Sequence, residues 1–247
     1  ADFDPTAATD QSTRTDSGNA DAATDAGTPL TLGTFLANSR RLLASAFLVV
    51  FALVAFEGLF YRGVLTYLPE ILGDLDALAG VDAGALAGIT PGDYIFVGLL
   101  VVGIAGQYAG GKLTERVAVE RGLAVIFVVL ATLALAFIPV AGLGLGPLVV
   151  LCGVLGFFLF AIQPFYQVAV AVYTPADTRG LSYGYTFLAE FGIGAASVAL
   201  GGFLLGERSL ALFFTVLAAF ALVGSALAVG LLVGSGWLPV GSRAESQ

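Results

Sequence analysis

Histidine is absent from the 247 residues, cysteine and lysine occur once each, as Cys152 and Lys112, and only 11% of the chain is charged. These absences remove whole classes of chemistry. Without histidine there is no Ser-His dyad, no imidazole base and no His-ligated zinc, and one cysteine makes neither a disulfide nor a CxxC site. No paired aspartates lie inside the apolar runs. The chain therefore reads as no enzyme, with no metal site and no cofactor. A formal charge of −8, with six of the eighteen acids being aspartates before residue 26, also argues against a nucleic-acid partner.

What remains is apolar: 58% of the residues are hydrophobic and the mean hydropathy is +0.95, beyond the balance of a water-soluble domain. The apolar residues are concentrated in long runs. A run of about 20 residues at about 1.5 Å per residue crosses a hydrocarbon core of about 30 Å, and in lipid every backbone amide must be satisfied within its own helix or a closed barrel. These runs are too continuous for barrel strands. An all-α membrane protein with six transmembrane helices is expected.

Residues 1–29 are the exception, being rich in Asp, Thr, Ala, Gly and Ser; they read as a disordered acidic tail or a linker between larger parts. Alanine at position 1 and the lack of a basic stretch before a short apolar region give no sign of a signal peptide, so a processed chain or a fragment is expected. The transmembrane domain spans 30–235 and a cytoplasmic tail 236–247. The six spans are expected at about 42–69, 94–111, 123–140, 147–173, 181–205 and 210–233. No charge occurs from Gly122 to Ala176, but Pro139, Gly142, Gly144, Gly146 and Pro147 break that run into a helix, a tight turn and a second helix.

Basic residues near the span ends set the orientation. With the N-terminal tail inside, Arg14, Arg40, Arg41, Lys112, Arg116, Arg121, Arg179 and Arg243 fall on the cytoplasmic side, Arg208 falls outside and Arg62 is embedded. A multi-pass protein of the plasma membrane with both termini cytoplasmic is expected.

Ionisable groups inside the spans are the candidates for function, because a charge at the bilayer centre costs at least about 2.5–3.5 kcal/mol. Glu190, about ten residues into the fifth span, is the leading candidate for substrate or proton binding. Glu57 and Arg62 in the first span follow; their five-residue separation puts them on different helix faces, and Arg62 equally fits an anchor reaching the outer interface. In the fourth span Gln163, Tyr166 and Gln167 surround Pro164, as in the broken helices that line transporter cavities. Gln163 and Gln167 also fit simple hydrogen bonding to a neighbouring helix. Tyr61, Tyr67 and Trp237 read as interfacial belt residues.

The short loop between spans two and three, from Gly110 through Lys112, Glu115 and Arg116 to Arg121 and Gly122, resembles the signature loop of the major facilitator superfamily. Gly111, Leu113, Arg116 and Arg121 match, while Glu115 stands for the usual aspartate and Ala118 for the second glycine. Tyr67-Leu68-Pro69 and the stretch Pro175 to Gly180 resemble that superfamily's seventh helix and its connection from the tenth helix to the eleventh.

The resemblance covers residues 30–235 and implies the C-terminal six-helix half of a secondary transporter. Such a transporter moves a small organic solute by alternating access, here with proton coupling expected from the embedded carboxylates. It also implies a missing N-terminal half, or a second subunit, as partner beside the lipid bilayer. Gly111, Lys112, Glu115, Arg116 and Asp177 would form a conformational latch, with Glu115 at a helix N-terminus of the other half and Arg116 paired to Asp177. Glu120 and Arg121 read more simply as charges that fix topology. A self-contained six-helix protein, acting as a homodimeric transporter, channel or scaffold, is the alternative.

Overall fold

The computed structural model describes residues 31–78, 90–174, 178–207 and 209–235. By its internal contacts the chain divides into two units, 1–36 and 37–247. Of the first, only residues 31–36 are described. There Thr31 and Thr34 exchange backbone-to-hydroxyl hydrogen bonds of 3.0 and 3.2 Å at the start of helix α1, Leu32–Leu43.

Every regular element among the second unit's described residues is helical, with no strand among them. After α1 come α2 (Phe47–Gly73), a 3-10 turn (Asp76–Leu78), α3 (Pro91–Thr114), α4 (Val119–Ala141) and α5 (Leu145–Tyr173). Then follow α6 (Arg179–Phe187), a π-helical segment (Leu188–Ile193), α7 (Ala196–Glu207) and α8 (Leu210–Ser235). Six stretches are long and apolar enough to cross a membrane: α2, α3, α4, α5, the run Arg179–Gly206 and Leu210–Gly234.

Two of the expected spans carry interruptions. The first span does not run unbroken from residue 42, because α1 and α2 are separated at Ala44–Ala46. Ser45 causes the break: its hydroxyl donates to the Leu42 carbonyl at 2.6 Å and accepts from the Phe47 amide at 3.2 Å, taking the place of helix bonds. The fifth span is not one α-helix either. It widens to a π-helix at Leu188–Ile193 and turns through Gly194 and Ala195 before α7.

Local chemistry explains the other ends. Thr90 and Asp93 form a capping box around Pro91 at the start of α3, with the Thr90 amide donating to the Asp93 carboxylate at 2.7 Å. Between α4 and α5 the chain reverses through Gly142, Leu143 and Gly144, and Gly144 takes a φ of 106° that disfavours any side chain.

The helices meet through small residues. α3 lies mainly along α5, α4 along α8 and α5, and α2 along α8. A Cβ on Gly106 would stand 2.0 Å from the Phe157 carbonyl oxygen, one on Gly110 2.4 Å from that of Ala161, and one on Gly156 2.3 Å from that of Leu99. These helices touch backbone to backbone. The opposite face of α3 carries Val97, Val101, Ile104 and Tyr108, each more than half exposed. Glycine inward and valine outward inverts the pattern of a water-soluble helix and fits lipid, where apolar surface need not be hidden and close packing joins the helices. The core between helices is mainly aliphatic, and among its largest side chains Phe47, Phe60, Phe127, Phe137, Phe165 and Phe213 are fully buried. Phe137 stacks on Phe214 at 4.1 Å between centroids. The chain is a multi-pass membrane protein.

Candidate functional site

Three spans deliver polar side chains to one point. Glu57 lies eleven positions into α2 and is 2% exposed. Beside it, Gly58 admits the fifth span: a Cβ there would stand 2.6 Å from the Glu190 carbonyl oxygen. From α5 come Gln163 and Tyr166, three residues apart and thus on one face, next to Pro164, which lacks the amide that would close the helix there. Glu190 comes from the π segment, whose wider turn re-aims a side chain relative to a regular helix.

The four side chains form a continuous hydrogen-bonded chain. The Gln163 Nε2 donates to Glu57 Oε1 at 3.1 Å, the Tyr166 hydroxyl lies 2.7 Å from Gln163 Oε1, and the same hydroxyl lies 2.9 Å from Glu190 Oε2. All four residues are buried. The second oxygen of Glu57, Oε2, is buried and has no hydrogen-bond partner among the described residues. Five residues on from Glu57, the Arg62 Nε is also buried without a hydrogen-bond partner among the described residues, and the guanidinium lies over the Phe191 ring, 4.7 Å from its centroid. Tyr61 packs edge-on against Phe160 at 5.8 Å.

The structure thus brings Glu57, Gln163, Tyr166 and Glu190 together and sets Arg62 beside them. Gln167 is exposed and makes none of these three bonds, although its side chain lies near the Tyr166 hydroxyl. Gly111, Lys112, Glu115 and Arg116 sit at the turn from α3 to α4, with Lys112, Glu115 and Arg116 exposed. Asp177 lies outside the described residues, and with it the expected pairing to Arg116. Trp237 lies outside them too.

Some contacts had no signal in the sequence. Tyr67, expected in the interfacial belt, is half-buried: its hydroxyl donates to the Val198 carbonyl and its ring meets Phe213 edge-on at 5.7 Å, tying α2 to α7 and α8. The glycines Gly201 and Gly202 leave room for that ring. Glu120 is 8% exposed in the first turn of α4 and accepts the Tyr173 hydroxyl at 2.6 Å. Removing that donor with Tyr173→Phe leaves a buried carboxyl short of a partner, which costs about 1–3 kcal/mol. A lowered unfolding midpoint in detergent micelles is expected, and an unchanged midpoint would show that Glu120 draws nothing from the bond.

Comparison with known proteins finds no matching family model, no similar curated protein and no similar solved structure. The buried polar chain between three membrane spans is therefore the ground for a functional reading.

Proposed function

We propose that the chain is one six-helix half of a secondary active transporter of the major facilitator type, moving a small organic solute by alternating access with proton coupling. The observation that carries this reading is the chain Glu57, Gln163, Tyr166 and Glu190, two carboxyls and their relays drawn from three spans and buried at membrane depth. Ionisable groups are costly in lipid and are kept where they bind or move something. The broken fifth span, with its π segment at Glu190, supports the same reading, because interrupted helices supply the binding sites of such transporters. So does the short basic turn Gly111 to Arg116, at which α3 and α4 would lock against a second bundle. The missing partner is an N-terminal six-helix half or a second subunit. The protein would sit in the plasma membrane with both termini in the cytoplasm, as the distribution of basic residues favours.

Reconstitution of the complete protein in vesicles tests the proposal. Flux driven by an imposed pH gradient is expected to fall about tenfold or more in Glu190→Gln, the equivalent of about 1.4 kcal/mol. Gradient-driven flux equal to that of the parent in both Glu190→Gln and Glu190→Ala would remove Glu190 from the mechanism.

A further inference from the structure

Counting hydrogens in the buried chain leads past this reading. Three contacts link four side chains: Glu57 to Gln163, Gln163 to Tyr166, and Tyr166 to Glu190. Each needs one proton between its two heavy atoms. The Tyr166 hydroxyl has one to give, and the Gln163 amide directs an N–H to only one of its two neighbours, because its other end is the carbonyl oxygen. Two protons cannot fill three contacts. The third must come from a carboxyl.

We propose that Glu57 and Glu190 hold one proton between them, and that Gln163 and Tyr166 form a two-position switch that assigns it to one end or the other. In the first arrangement protonated Glu190 donates to the Tyr166 oxygen, Tyr166 donates to the Gln163 carbonyl, and the Gln163 N–H donates to ionised Glu57. In the second the Gln163 amide has turned by half a revolution. Protonated Glu57 then donates to the Gln163 carbonyl, the Gln163 N–H donates to the Tyr166 oxygen, and Tyr166 donates to ionised Glu190. Each arrangement carries one carboxyl proton and one negative charge, so the two have the same composition and differ only in which carboxyl holds the proton. With both carboxyls ionised one contact has no hydrogen. With both protonated one hydroxyl has no acceptor within the chain, and at Glu57 the remaining oxygen has no partner to offer.

The surroundings suit such a store. The nearest titratable and charged groups on the elements that form it are Tyr61 and Arg62, which follow Glu57 on α2, and Tyr166 on α5. α8, packed along α2, carries none. The acids and bases of α3, α6 and α7, such as Asp93, Lys112, Arg179 and Glu207, lie at helix ends. The tyrosines Tyr108 and Tyr183 face outward, while Tyr185 meets Phe51. Arg62 lies over Phe191, the neighbour of Glu190 in the chain, and the Gln163 amide donates to Glu57, so each end has a polar or charged group near it. The inference rests on the transport reading only for the use made of the proton; the count itself does not.

Infrared spectroscopy of the full chain in lipid, with carbon-13 in its glutamates, reads protonated carboxyls directly. By the same count an amide put in place of either carboxyl supplies the third hydrogen, so the parent is expected to show a band of one carboxyl per chain at neutral pH, while Glu57→Gln, Glu190→Gln and the double variant should all lack it. A parent band of two carboxyls, no parent band above the double variant, or a single-variant band as strong as the parent's overturns the proposal. Should a variant fail to fold, the parent band scaled to the acid-titrated carboxyl total of the same sample still separates one proton from two or none. Because no flux is measured, a transport failure leaves the count standing, and a wrong count leaves the transport reading standing.

Discussion

Valine at Gly106 is expected to cost the bundle at least about 3 kcal/mol, the upper end of overpacking penalties, and to cut the yield of folded protein. The reason is where the new atoms would go. A Cβ at this position lies 2.0 Å from the Phe157 carbonyl oxygen, 2.7 Å from its carbon and 2.9 Å from its Cα, all of them backbone atoms of α5. A side chain can rotate away, whereas a helix backbone must move as a body. Moving it would also open the contacts of Gly110 with Ala161 and of Gly156 with Leu99. Lipid offers no hydrophobic drive to restore them, since its tails are as apolar as the helix faces. Gly111 is the control: nothing lies within 4 Å of a Cβ built there, so Gly111→Ala should leave the unfolding midpoint of the chain unchanged or slightly raised. The fraction unfolded in mixed micelles of increasing denaturing detergent measures both. Equal midpoints for Gly106→Val and the parent would mean that α3 does not seat on α5 as described.

The second large effect is expected at Gln163. Leucine has a similar volume, so packing is nearly kept, but two hydrogen bonds disappear together. Glu57 then has no partner on either oxygen, being already without one on Oε2. A lost membrane hydrogen bond alone averages about 0.6 kcal/mol, whereas a stranded buried polar group costs about 1–3 kcal/mol. The second term decides, and a loss in that range is expected, together with loss of any activity that needs the two carboxyls linked. Gln167→Leu, one turn on, changes an exposed amide outside the chain of bonds and should stay within about 0.5 kcal/mol of the parent. Indistinguishable unfolding curves for Gln163→Leu and Gln167→Leu would show that the buried chain contributes nothing to the fold.

The helices of this protein were legible because lipid imposes one rule on every span. Length with little or no charge announces each of the six, and the breakers from Pro139 to Pro147 announce the turn at Gly144. The members of the buried chain could also be picked out singly: Glu57 and Glu190 by their cost in lipid, Gln163 and Tyr166 by their spacing beside Pro164. Their meeting could not. Gln163 and Glu57 are 106 positions apart, Tyr166 and Glu190 are 24 apart, and a helical period says nothing about which helix neighbours which.

The π segment was hidden for a related reason. Its extra residue per turn is held by tertiary contact at Gly58 and Gly194, not by any local preference of Leu188 to Ile193. The break at Ser45 depends on one hydroxyl choosing the backbone over solvent, and the pair Glu120 and Tyr173 joins residues that each looked ordinary. In each case a long-range or single-atom choice overrode the pattern.

The close seat of Glu190 has a mechanical consequence. Its carbonyl oxygen is held between Gly58 and Gly194, where even a methyl group would collide, so the fifth span has no slack against α2 at the level of the carboxyls. Sliding that span by an ångström would stretch the link to Tyr166, and re-sorting hydrogens along the links would push back on the span. Ionisation and posture at this level are two descriptions of the same movement.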